Sequence, residues 1–128
     1  MPPVSRYMTP NPRAVAPRDR LSVARALMHE LQIRHLPVID HDRLVGILSD
    51  RDLNQIHAPE DNVADAMSPD VTTVAAKTPI DEVVALMEAK HFGSVVVMGD
   101  VGVAGIFTLT DAMRAFTNVV QRSEEGDR

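Results

Sequence analysis

Gly46-Ile47-Leu48-Ser49-Asp50-Arg51-Asp52 recurs as Gly105-Ile106-Phe107-Thr108-Leu109-Thr110-Asp111, 59 positions later. In each string an apolar run with a leading glycine ends on a hydroxyl residue, and an aspartate follows three positions on. Such a run reads as a strand passing directly into a helix, because Ser or Thr followed by an acid at the third helical position makes a capping box. Outward at the same offset, Met8-Thr9-Pro10 returns as Met67-Ser68-Pro69 and Leu27-Met28 as Leu86-Met87. Pairing residues 7–58 with 66–117 gives eleven identities without a gap, so the chain is one unit written twice.

Each copy holds roughly 60 of the 128 residues, too few to bury much surface alone, so the copies are expected to share a core. Aromatics are only 3% of the chain, which leaves that core to aliphatic residues and seven methionines. The absence of cysteine excludes a disulfide framework, thiolate metal sites and a cysteine nucleophile, and fits a reducing compartment. Met1-Pro2-Pro3 leads into polar sequence without a signal-peptide core, and no apolar run approaches the roughly 18–20 residues of a membrane span. A cytoplasmic protein with no membrane segment is expected.

A net charge of −5 argues against nucleic acid as a partner, since a basic surface is needed to displace counterions. The charge is uneven: residues 1–58 carry eight arginines against six acids, and residues 59–128 carry five basic residues against twelve acids. This asymmetry fits either antiparallel self-association or scattered surface charge.

Each copy reads as a short extended segment, a helix, two strands and a second helix. Leu21, Ala24, Leu27, Met28 and Leu31 share one face at a 3.6-residue period, as do Ile80, Val83, Val84 and Met87. Thr78 is expected to cap the latter helix, with Pro79 at its first position and Asp81 completing a box. Leu36-Pro37-Val38-Ile39 and Val95-Val96-Val97-Met98 are strands, and Pro37 demands an open position because it cannot donate to a ladder. The first closing helix ends by His57-Ala58-Pro59, and residues 59–65 form a charged joint. Met113, Phe116 and Val120 make an apolar stripe that faces either a second subunit or the chain's own core.

A strand-to-helix turn carrying a hydroxyl and an aspartate suits a nucleotide. Free N–H groups at the helix start attract phosphate, and a carboxylate can accept hydrogen bonds from a ribose diol. The same residues also suit a helix cap and nothing more. Repetition of the whole string, glycine included, is what favours a ligand.

With these residues in view the chain resembles a tandem pair of CBS domains, the cystathionine β-synthase type repeat whose pair is called a Bateman module. Met8-Thr9-Pro10, Met67-Ser68-Pro69, the Leu-Met pairs, Arg34-His35-Leu36-Pro37-Val38-Ile39-Asp40 and the two Gly-to-Asp strings carry the resemblance, from about Tyr7 to Phe116. It implies an α/β fold of the α+β type, in which two pseudo-twofold-related repeats each form a small sheet with helices on one side. Repeat one would span 1–60 and repeat two 61–122, with 123–128 a flexible tail.

The resemblance further implies a regulatory, energy-sensing module that binds AMP, ADP, ATP or S-adenosylmethionine between its repeats and signals, as a homodimer, to a separate effector protein. Carried over by position, one site comprises Ser49, Arg51, Asp52, Asp70, Thr72, Phe92, Gly93 and Ser94. The other comprises Thr108, Thr110, Asp111, Asn11, Arg13, Ile33, Arg34 and His35. The first is favoured for an adenine nucleotide such as AMP or ATP, because Gly93 and Ser94 leave room for a base and Arg51 suits phosphate. The alternative is a ligand-free dimerisation module in which Asp52 and Asp111 only cap helices.

No catalytic cofactor or enzyme activity is expected. There is no Gly-x-Ser-x-Gly elbow, Ser49 lacks an activating base, and the five histidines show no metal-ligand spacing.

Overall fold

The computed structural model describes residues 1–55, 57–58 and 60–126. In chain order these form a 3-10 turn at Val4–Arg6, β1 (Thr9–Pro10), α1 (Leu21–Leu31), β2 (His35–Asp40), β3 (Arg43–Ser49) and α2 (Asp50–Leu53). There follow α3 (Val63–Ala66), β4 (Thr73–Ala75), α4 (Ile80–Lys90), β5 (Ser94–Gly99), β6 (Gly102–Thr108) and α5 (Leu109–Gly126). Mixed helix and sheet was the expected class, and it is found. The residues fall into two compact units that do not coincide with the sequence copies: one is Pro12–Val71, the other joins Met1–Asn11 to Thr72–Arg128.

In the unit that contains both ends of the chain, four strands run in the order β1-β6-β5-β4. β1 lies antiparallel to β6, pairing Thr9 with Ile106 and Pro10 with Gly105, and β4 lies parallel to β5. The unit of residues 12–71 follows the same plan in reduced form, with the β2-β3 hairpin flanked by single bridges at Ile47–Ser68 and Val15–Val38. Pro37 explains part of the reduction. In the first unit Val96 donates to the Thr72 carbonyl at 3.0 Å, and the equivalent Pro37 has no N–H to give. Val15 keeps only the bonds that do not need one, donating to Pro37 O and accepting from Ile39 N.

The lead-in of each copy is built into the unit of the other. Val4 N–H donates to Thr78 O and Ile80 N–H to Pro2 O; 59 positions on, Val63 N–H donates to Asp19 O and Leu21 N–H to Asp61 O. These reciprocal bonds occupy the otherwise unpaired first N–H of α4 and of α1. They also displace the expected cap: Pro79, not Thr78, takes the cap position of α4, and no side chain caps it. Val4 and Val63 are both fully buried, each in its own unit. Most buried residues group into two clusters, one in each unit, Val4 closing one with Ile80, Val83, Met87, Val95 and Phe107, and Val63 closing the other with Leu21, Ala24, Met28, Leu36 and Leu48.

The strand glycines make this exchange possible. A Cβ at Gly46 would stand 2.8 Å from the Ser68 carbonyl oxygen, and one at Gly105 would stand 2.9 Å from that of Thr9, each with a methionine sulfur against it, Met67 and Met8 respectively. One residue before each glycine the hairpin bulges, at Val45 and at Ala104, so that two residues oppose one on the partner strand.

Other departures from expectation are local. Val84 and Leu31 are exposed instead of completing their apolar faces. The charged joint contains α3, a helical turn started by Asn62 N–H donating to Asp65 at 2.8 Å. The first closing helix stops at Leu53, before the expected end; Pro59 lies outside the described residues. At the other end α5 continues through Gly126 where a tail was expected from Ser123, and Asp127 and Arg128 lie outside the described residues. Among the described residues no helix is long and apolar enough to cross a membrane.

Substituting Gly46→Ala should cost about 1–3 kcal/mol, because the contact is with backbone that cannot step aside. Urea denaturation measures this; an unchanged midpoint would mean that the Ser68 segment does not lie against Gly46.

Candidate functional site

β3 delivers Ser49 to the start of α2 in extended geometry, and the capping box closes there: Asp52 N–H donates to Ser49 Oγ at 3.1 Å, and Ser49 N–H donates to Asp52 Oδ2 at 2.8 Å. At the equivalent turn, Thr108 N–H donates to Asp111 Oδ2 at 2.9 Å and the Thr108 hydroxyl donates to the same oxygen at 3.1 Å. Both aspartates therefore cap helices, as either reading of the sequence required.

The two carboxylates differ in what they have left to offer. Asp111 is 3% exposed, and its second oxygen lies 3.7 Å from Arg114 Nη2. Asp52 is half-buried and, among the described residues, its Oδ1 has no partner, while Arg51 beside it is exposed. A free carboxylate oxygen next to a free guanidinium can accept from sugar hydroxyls and donate to phosphate.

The helix starts themselves are less available than the sequence suggested. Asp50 N–H donates to Arg34 O at 2.9 Å, and Leu109 N–H donates to Gly93 O at 3.2 Å. With the Asp52 amide held by Ser49, α2 is left with little N–H capacity for an anion, so phosphate recognition falls to side chains.

The unit of residues 12–71 holds Ser49, Arg51, Asp52 and Asp70 together with Arg13, Ile33, Arg34 and His35. The other unit holds Thr108, Thr110 and Asp111 with Asn11, Thr72, Phe92, Gly93 and Ser94. Cross-strand pairing sets His35 opposite Ser49 and Ser94 opposite Thr108, so within each unit the hydroxyl of one expected set neighbours a strand residue of the other.

Helix ends with positive φ at Gln32 (53°) and His91 (57°) turn the chain toward these strands. Asn11, also left-handed at φ 46°, donates to Ala104 O at the bulge. Ile33 packs against its unit's core, which makes it structural, whereas Arg13, Arg34 and Asp70 are exposed.

Two residues near Asp52 were not singled out as site residues. His57 Nε2 lies 2.7 Å from the Asp52 carbonyl oxygen, and Arg25 Nη2 donates to Leu53 O at 2.9 Å. Their signal lay in the repeat, since copy two has Phe116 and Val84 at these positions. No cluster of three metal-ligating side chains occurs among the described residues.

Burial holds the His35 imidazole below the ordinary histidine value, despite the raising influence of Asp50 and Asp52, while Arg34 lowers it further. Folding therefore opposes protonation. As pH falls through about 6.5 the unfolded chain takes up this proton first, so stability drops until the folded value is passed. Comparing urea midpoints at neutral and mildly acidic pH, His35→Ser should lose less stability than wild type on acidification; an equal loss would show that His35 is not the group responsible.

The profile of the CBS domain family matches residues 4–56 and 63–118. Inosine-5'-monophosphate dehydrogenase of Thermoplasma acidophilum is 32% identical over 98 residues, which is 76% of this chain and 20% of that protein. The chain thus spans about a fifth of the length of that curated relative. Among solved structures, a Vibrio cholerae protein described as an acetoin utilization protein aligns with TM-score 0.85 and 31% identity, covering 98% of this chain and 97% of that one. The protein CBSX2 in complex with AMP aligns with TM-score 0.80 and 27% identity, covering 93% and 98% respectively.

Proposed function

The chain belongs to the CBS domain family, and from that premise we propose that it is a regulatory module that binds an adenosine-containing small molecule and reports its presence to a separate effector protein. The observation that carries the reading is the unequal state of the two aspartates. Asp52 is half-buried and keeps one carboxylate oxygen without a partner among the described residues, whereas Asp111 is buried, with Oδ2 hydrogen-bonded to Thr108 and Oδ1 3.7 Å from the Arg114 guanidinium. Asp52, with Ser49 and Arg51, is the proposed ribose and phosphate grip. Asp70 belongs to the same unit, and AMP bound to CBSX2 supports the ligand class. Catalysis forms no part of the proposal.

Calorimetric titration with AMP, ATP, S-adenosylmethionine and NADH tests it. Wild type should bind at least one of the first three, Asp52→Ala should weaken that binding about tenfold or more, and Asp111→Ala should change it less. A flat response to every ligand would remove the sensing role.

The closed capping boxes favour one other reading, in which both aspartates serve the fold alone. In that case no adenosine compound raises the melting temperature, while Ser49→Ala still costs about 1 kcal/mol as a lost cap.

We also assign self-association to α5. Ala112, Ala115 and Val119 pack into their unit's core, while Leu109 (58% exposed), Met113 (71%), Phe116 (70%) and Val120 (37%) line another face at alternating spacings of four and three. That spacing is the seam of a helix pair. Light scattering should give a dimer for wild type and a monomer for Phe116→Glu; a monomeric wild type would refute the assignment.

A further inference from the structure

We propose that His57 and Arg25 are positioning residues that hold the Asp52 turn rigid from its far end, so that a ligand meets Ser49, Arg51 and Asp52 as a fixed set; this rests on the reading that Asp52 grips the ligand. α2 is a single turn of four residues, Asp50–Leu53. One turn fixes several backbone dihedrals for hardly any internal hydrogen bond, so it does not persist unaided. Its start is anchored by the Ser49 box and by the bond from Asp50 N–H to Arg34 O. Its end is closed only loosely by the backbone, Asn54 N–H being shared between Asp50 O at 3.1 Å and Arg51 O at 3.2 Å and Gln55 N–H reaching Asp52 O at 3.4 Å, so side chains are needed to fix it.

Two side chains from other segments supply that anchor. Arg25, on α1, donates from Nη2 to Leu53 O at 2.9 Å. His57 lies 2.7 Å through Nε2 from the carbonyl oxygen of Asp52 itself, the residue whose carboxylate faces the ligand. A carbonyl can only accept, so Nε2 must carry the proton. The ring is 15% exposed, and its Nδ1 is 3.9 Å from Asp61 Oδ2, a carboxylate oxygen already fixed by Ala58 N–H at 2.9 Å. Because His57 itself lies in the segment that leads into α3, its bond ties the backbone of Asp52 to that segment.

Copy two marks the arrangement as particular to copy one. Its closing helix α5 runs from Leu109 to Gly126 and supports its own first turn. At the equivalents of Arg25 and His57 it carries Val84 and Phe116, neither of which can donate a side-chain hydrogen bond. Polar anchors occur where the helix is cut short, and that short helix bears the aspartate whose Oδ1 has no partner among the described residues. Holding it in place lowers the ordering cost of binding.

The test uses the full chain, with AMP and ATP as calorimetric probes at a temperature where circular dichroism shows every variant folded. Each anchor is replaced by its copy-two counterpart, as His57→Phe and Arg25→Val, and His57→Gln restores a donor without the ring. His57→Phe and Arg25→Val should each weaken binding about three- to tenfold, while His57→Gln stays within about twofold of wild type. Hydrogen exchange in the ligand-free protein should quicken at Asp52 and Asn54 in His57→Phe and stay unchanged at Asp111. Wild-type affinity in both His57→Phe and Arg25→Val overturns the inference and leaves the ligand site standing. Failure of wild type itself to bind either nucleotide overturns the functional reading, and the inference with it.

Discussion

Everything in this structure depends on a close backbone approach: the Met-x-Pro segment that opens each copy lies against the glycine-bearing strand of the other. A β-carbon at Gly46 or Gly105 would meet a carbonyl oxygen inside 3.0 Å, so the approach exists only because these positions are glycine. From it follow the antiparallel pairing of Thr9–Pro10 with Gly105 and Ile106, the seating of Val4 and Val63 in their respective cores, and the backbone bonds that finish the starts of α1 and α4. Neither copy is complete without the lead-in of the other. Each half therefore depends on the other for a residue of its core and for the backbone partner of a helix start.

On that common plan the copies have diverged where chemistry is possible. Copy one has a closing helix of one turn, an aspartate with one oxygen unpartnered among the described residues, and arginine or histidine at 25, 34, 35, 51 and 57. Copy two has valine, glycine, serine, threonine and phenylalanine at the matching positions, a long closing helix and a buried aspartate with Arg114 beside it. The first arrangement favours holding a charged ligand, and the second favours rigidity and an exposed apolar face.

Much of this was legible in the sequence, for reasons that differ by element. The inward faces of α1 and α4, the hairpins and the two capping boxes follow from short-range patterns that the chain repeats faithfully. The repeat could not reveal which copy's lead-in pairs with which strand, because an offset of 59 is the same for both pairings. Val4 and Val63 lie outside the matched stretches 7–58 and 66–117, and a single buried valine carries no period that would mark it. The Thr78 cap is not formed: α4 begins one residue later, with Pro79 at the cap position and Ile80 N–H bonded to Pro2 O, a tertiary contact that short-range pattern does not announce. The last turns of α5 lack apolar periodicity, so the helix there follows from the propensity of Gln121, Arg122 and Glu124 with nothing in the pattern to announce it.

The central claim is that the aspartate with the free oxygen is the one that meets the ligand. Titrating AMP into isotope-labelled protein and following backbone amide resonances tests it directly. The account predicts saturable shifts concentrated at Ser49, Arg51, Asp52 and Asn54, with Thr108 to Asp111 moving little. Shifts centred on Asp111 with the Asp52 turn unmoved, or no shifts at all, would contradict it.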